Sequence, residues 1–148
     1  MNRCKPIASG EQIIETMIEL ARCSKLHRII VAGSKSPDQM FELHRRGYNR
    51  IATTATCGLP RGQFDVALVD WRLHSIKALE ATLDWLVHFL KWSGVLVIRV
   101  DSQDHAGNRK LKSMLESLGF RIEVGTCCER GIAISACRLD GDQQAIAA

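Results

Sequence analysis

The sequence predicts an α/β domain: a three-layer, doubly wound, mostly parallel sheet closed by a C-terminal antiparallel hairpin. Three observations carry this expectation. RIIVAG (28–33), FDVALVD (64–70) and GVLVIRV (94–100) are short apolar runs of the kind buried on both faces of a parallel sheet. Stretches of helical period alternate with them, and right-handed crossovers then place helices on both faces. Finally, FRIEVGTCC (120–128) and GIAISACRL (131–139) are joined by Glu129-Arg130 alone, a connection that fits a hairpin. A chain of 148 residues holds one such domain. Its core is expected over residues 11–139, with 1–9 an arm and 140–148 a tail.

The first helix starts after Ser9, which has capping-box spacing to Gln12, and continues with Ile13, Ile14, Met17, Ile18 and Ala21 at helical period. The run 28–33 is the first strand. A second helix follows with Ser36 as N-cap, Pro37 in the first helical position, Asp38 at the positive end, and Gln39 completing a capping box. Gly47 ends it. NRIATTA (49–55) is the second strand, and TCGLPRGQ (56–63) is a loop. Strand 64–70 comes next, then a long helix over 75–92, strand 94–100, a helix over 106–118 ended by Gly119, and the hairpin.

Along the long helix, Ile76, Leu79, Leu83, Leu86, Val87 and Leu90 form one apolar face, which packs on the sheet. Trp85, Phe89 and Trp92 form a second stripe. Either a neighbouring helix covers it or a second subunit does, since exposed aromatic clusters mark contact sites. The expectation taken forward is a homodimer through Trp85, Phe89 and Trp92.

Composition narrows the function classes. Hydrophobic residues at 46% and charged residues at 24% exclude a disordered chain. There is no apolar run of about 18 residues, so no membrane span is expected. The first residues lack an apolar signal core, which points to the cytoplasm. The net charge of +4 is mild, and the densest basic groups, Arg45-Arg46 and Arg109-Lys110-Lys112, read as solvated helix faces rather than a nucleic-acid surface. Six cysteines without a Cys-x-x-Cys pair, and Cys23–His27 without a second ligand pair, lead to the expectation that no metal is bound. Cys127 and Cys137, in apolar strand runs, read as small core residues.

In parallel sheets of this kind, ligands sit beyond the carboxyl ends of the strands. That draws attention to Gly33–Ser36, Thr53–Cys57, Asp70–Leu73 and Asp101–His105. Asp70 is the leading carboxylate. It either serves a substrate, by orienting an amine or accepting a proton, or caps the following turn. His74 reads as a loop histidine; Asp101, Asp104 and His105 read as loop and cap residues. Ser34, Lys35 and Ser36 precede a helix N-terminus that could take an anion, weakened by Asp38.

HFLKWSGVLVIRVDS (88–102), followed by LKSMLESLGFRIEV (111–124) and the closing hairpin, resembles the later half of class I S-adenosylmethionine (SAM)-dependent methyltransferases. FDVALVDW (64–71) resembles the strand carrying that family's fourth motif, and RIIVAGSKSPD (28–38) stands where its glycine-rich first motif lies. The resemblance implies SAM as cofactor, with Gly33, Ser34, Thr53 and Asp70 as cofactor-binding positions and Asp70 as catalytic candidate. The chain departs from the pattern at Val31, in place of an acid, at Lys35 and Pro37, in place of glycines, and at Thr53-Thr54, where the family has the ribose-binding acid. The segment between Ala55 and Val66 is also too short for the family's third strand and its helix. Together these imply a methyltransferase-like protein with a weakened or lost cofactor site. The alternative is a non-catalytic binding or interaction module on the same fold. A response-regulator receiver fits less well: the acidic pair that would hold Mg²⁺ is replaced by Ala32-Gly33-Ser34. A dinucleotide fingerprint would need three spaced glycines.

Overall fold

The computed structural model describes residues 10–33, 36–53, 62–71, 76–101, 105–128 and 131–138. Along the chain the elements are α1 (Gly10–Ala21), β1 (Ile29–Gly33), α2 (Ser36–Arg45), β2 (Ile51–Thr53), β3 (Phe64–Asp70), α3 (Ile76–Leu86), a 3₁₀ turn (Val87–Phe89), β4 (Leu90–Asp101), α4 (His105–Ser117), β5 (Phe120–Cys128) and β6 (Gly131–Arg138). The six strands form one sheet in the order β2-β1-β3-β4-β6-β5. β2, β1, β3 and β4 are parallel, and β6 runs antiparallel between β4 and β5. This is the predicted architecture, hairpin included.

The pleat sends alternate side chains to opposite faces, and the core divides accordingly. Ile29, Val31, Val66, Leu68 and Val97 pack beneath α1 and α2, against Ile14, Met17 and Leu43. Ile30, Ala32, Ala67, Val69, Leu96 and Ile98 pack on the other face against Leu79, Leu83, Leu86, Leu111 and Leu115 of α3 and α4. Both faces of the central strands are therefore covered, which is why they read as continuous apolar runs. Phe64 departs from the alternation and joins the α3/α4 side. A bulge explains it: the amides of Asp65 and Val66 both donate to the Arg28 carbonyl, and the β3–β4 register shifts between Phe64 and Val66.

Three elements differ from expectation. β2 spans Ile51–Thr53, shorter than 49–55, with Thr54 and Ala55 outside the described residues. Cys137 is half-buried rather than a core residue; its Sγ lies 3.4 Å from Glu123 Oε1, and burial together with that carboxylate pushes its pKa up to about 11.

The larger difference is the long helix, which stops at Leu86. The 3₁₀ turn follows, and Leu90, with φ −77° and ψ 139°, already opens β4. Leu83, Leu86, Val87 and Leu90 are buried, as the helical period requires, but the same spacing is satisfied by a helix that hands its last apolar residue to a strand. Arg138 on β6 shows why the strand wins. Its guanidinium donates to the carbonyls of Val87 (2.7 Å) and Lys91 (2.6 Å). It also stacks over the rings of Trp92 and Phe120, 4.9 Å and 5.0 Å from their centroids. Trp92 thus lies on β4 under Arg138, whereas the Trp85 and Phe89 rings pack against each other in a tilted arrangement with centroids 4.5 Å apart. The three aromatics do not form one helical stripe.

Candidate functional site

Because β1, β3 and β4 are parallel, their carboxyl ends meet at one end of the sheet, and Gly33, Asp70 and Asp101 lie there together. The register runs Gly33↔Asp70↔Arg99 across the three strands, and Val31↔Thr53 links β1 to β2. By the pleat, Thr53, Asp70 and Arg99 share the face covered by α1 and α2, two residues beyond or in step with Val31, Leu68 and Val97.

Gly33 has φ +114°, a conformation that only glycine adopts readily, and a Cβ there would stand 2.2 Å from the Asp70 carbonyl oxygen. The neighbouring strand alone therefore demands glycine at this position. Asp70 is buried, and its carboxylate meets a fully buried arginine: Arg99 Nη1 lies 3.2 Å from both Asp70 Oδ1 and Oδ2. The amide of Trp71 donates to the Arg99 carbonyl at 2.8 Å, extending the β3–β4 ladder by one residue. The Asp70 carboxylate thus faces a partner within the sheet, beyond either role expected for it. Arg99 was missed by sequence reasoning because it sits inside GVLVIRV and reads as an interruption of a buried strand. The signal was present: a lone arginine, two residues from the end of an apolar strand, beside a strand ending in a lone aspartate.

Above this row lies the first turn of α2. Gln39 is 5% exposed, and its Oε1 is buried without a hydrogen-bond partner. The capping box expected with Ser36 is therefore not closed by Gln39. Packing wins over local capping: Gln39 falls on the same helix stripe as Met40 and Leu43, which the sheet pulls inward.

Ser34, expected as a cofactor-binding position, lies outside the described residues, as do Lys35, Cys57, His74 and Asp104. Among the described residues no three His, Cys, Asp or Glu side chains converge into a metal-holding group. Cys23 is half-buried, and that burial pushes its thiol up to about 12, while His27 Nδ1 accepts the Ser24 amide at 3.0 Å. No described helix is long and apolar enough to cross a membrane. A hollow of about 910 Å³ opens between α3 and α4, lined by Lys77, Glu80, Arg109, Lys110, Ser113, Met114 and Ser117. It lies on the sheet face opposite Asp70 and Arg99.

Solved structures that share this architecture include the following three. A SAM-dependent methyltransferase from Archaeoglobus fulgidus matches with a TM-score of 0.61 at 14% identity, over 87% of this chain and 94% of that one. Phosphoethanolamine N-methyltransferase 2 of Haemonchus contortus, solved with S-adenosyl-L-methionine, matches with a TM-score of 0.60 at 15% identity, over 88% of this chain and 38% of that one. The 1,6-didemethyltoxoflavin-N1-methyltransferase of Burkholderia thailandensis, solved with S-adenosylhomocysteine, matches with a TM-score of 0.58 at 14% identity, over 88% and 80%. No family model and no curated protein matches the sequence. At these identities the likeness is one of fold: the chain has the class I methyltransferase-like, Rossmann-like fold, with a mixed six-stranded sheet and an antiparallel end.

Proposed function

We propose that this chain is a SAM-dependent methyltransferase-like protein with a weakened cofactor site at the carboxyl ends of β1, β2 and β3. The observation that carries the reading is the Asp70–Arg99 pair. SAM, when bound, supplies a methyl group on a cationic sulfonium and also carries an ammonium. Asp70 is the carboxylate best placed to attract them, but Arg99 neutralises it at 3.2 Å, and Thr53 brings no charge to the end of β2. Lys35 and Pro37 stand where the resembling family has glycines, which favours the same conclusion. Asp70 is held on both carboxylate oxygens by Arg99.

Calorimetric titration of SAM and S-adenosylhomocysteine tests this. The expected dissociation constants are weaker than about 1 μM, which corresponds to roughly −8 kcal/mol. A tighter constant overturns the weakened-site reading. Complete absence of binding favours the second reading, a non-catalytic module on the same fold, which the internal neutralisation of Asp70 also supports. We further propose that the chain pairs with a second copy through Trp85, Phe89 and Trp92, since Trp85 and Trp92 are 41% and 51% exposed.

A further inference from the structure

The hollow between α3 and α4 is a second place where a ligand fits. α3 follows β3 and α4 follows β4, and these strands are parallel neighbours. The two helices therefore lie side by side over one face of the sheet and run the same way. Leu79, Leu83, Leu111 and Leu115 turn down into the core, which leaves a valley above them. Lys77 and Glu80 stand on one wall. On the other wall Arg109, Ser113 and Ser117 follow at intervals of four, as do Lys110 and Met114, so these residues share a face of α4. Lys112, the third cation of that run, does not line the hollow. Met114 is buried and forms the floor, while the charged walls are exposed. At about 910 Å³ the hollow has the size of a small-molecule site, about 300–1,000 Å³.

Its charges are not balanced from within. Elsewhere cations pair with carboxylates: Arg46 with Glu42, Lys91 with Asp65, Arg121 with Glu123. Among the described residues Lys77, Arg109 and Lys110 form no ion pair, although Glu80 shares the hollow with them. Three cations against one carboxylate leave these walls at +2. Helix position sorts the groups. The charged ones fall within the first two turns of each helix, whereas Ser113, Met114 and Ser117 continue along α4 for about 12 Å beyond Arg109, at about 1.5 Å per residue. One end thus offers mainly N–H donors, and the other a thioether between two hydroxyls.

We propose that this hollow binds a small organic phosphate. Lys77, Arg109 and Lys110 hold the phosphate, and its uncharged body lies over Met114 between Ser113 and Ser117. A phosphate monoester carries a charge of about −1.5 to −2 at pH 7, which matches the walls. The arginine fork suits two phosphate oxygens at once, and each lysine adds a point charge. The methionine floor adapts to an apolar body. A nucleic-acid strand asks for cations all along its path, and here the lining cations stand at one end. Because the hollow lies on the face opposite Asp70 and Arg99, the proposal does not depend on whether SAM binds.

The experiment is titration of phenyl phosphate into the isotope-labelled full chain, followed by amide NMR at constant ionic strength, beside inorganic phosphate and phenol. Saturable shifts are expected at Lys77, Arg109, Lys110 and Ser113, with phenyl phosphate binding about tenfold tighter than inorganic phosphate because its ring covers Met114. Phenol alone should not saturate. Arg109→Ala with Lys110→Ala, and separately Lys77→Ala on the facing helix, should weaken binding by about fivefold or more, whereas Glu80→Gln should tighten it about twofold by removing a like charge. All four positions are exposed, so unfolding midpoints should stay unchanged. Inorganic phosphate binding as tightly as phenyl phosphate overturns the proposal. So do shifts scattered over the surface without saturation, or charge variants that bind like wild type. A single-stranded oligonucleotide that occupies these residues more tightly than phenyl phosphate also overturns it, making the surface a nucleic-acid contact.

Discussion

Asp70 and Arg99 face each other with both charges out of water, at 7% and 0% side-chain exposure, and that burial governs how each responds to substitution. Removing one partner strands the other as an uncompensated buried charge, which costs about 3–5 kcal/mol; replacing both with apolar residues of similar volume is often close to neutral. Arg99→Met is therefore expected to lose about 3–5 kcal/mol in urea unfolding, and Asp70→Leu with Arg99→Met to recover most of that loss. Strictly additive losses in the double-mutant cycle would show that the two side chains are not coupled. The sequence pointed to Asp70 because an apolar strand ends in it. It did not reveal the partner, because the pairing depends on the β3–β4 register, which no local pattern encodes.

The connection from α3 to β4 is where a helical period and a tertiary clamp compete. Arg138 spans it with a two-sided fork, donating from Nη2 to Val87 and from Nη1 to Lys91, while its flat face covers Trp92 and Phe120. Hydrogen bonds to a charged group contribute about 1.5–3 kcal/mol. Arg138→Ala is therefore expected to destabilise by about 2–3 kcal/mol. Arg138→Lys should restore only part of this, since an ammonium lacks the planar fork and the stacking face. Amide hydrogen exchange adds a local readout: the Gly62 amide donates to the His88 carbonyl inside this connection at 2.9 Å and should lose protection in both variants. A lysine variant as stable as wild type would mean that the fork does not hold the connection.

Exposed tryptophans bear on how whole chains associate. A buried tryptophan covers about 150–250 Å², and at about 25 cal/mol per Å² leaving two of them wet forgoes several kcal/mol. Two-fold dimers are the commonest soluble homo-oligomers. Light scattering should therefore give the mass of two chains for wild type and of one folded chain for Trp85→Ser with Trp92→Lys. Because both residues are at least two-fifths exposed, the double variant is expected to fold. A wild-type mass near one chain, or a double variant that stays paired, excludes this surface.

The order of elements, the parallel sheet with its closing hairpin, the two-faced core and the strand end carrying Asp70 were all legible in the residues. Each depends on local pattern: apolar runs buried on both faces, helical periods, and a two-residue turn too short for anything but a hairpin. The end of α3 at Leu86, the pairing of Asp70 with Arg99, and the burial of Gln39 in place of a capping role were not legible. Each of these joins residues distant in sequence, and in each a long-range partner outcompetes a sound local preference. The Arg138 fork takes the carbonyls at the helix end, strand register brings arginine to aspartate, and the sheet draws in the helix stripe that carries Gln39. Gly33 shows the two kinds of information meeting. The resemblance marked it as a cofactor-binding position, and the fold shows that what comes close to it is the carbonyl of Asp70 on the neighbouring strand.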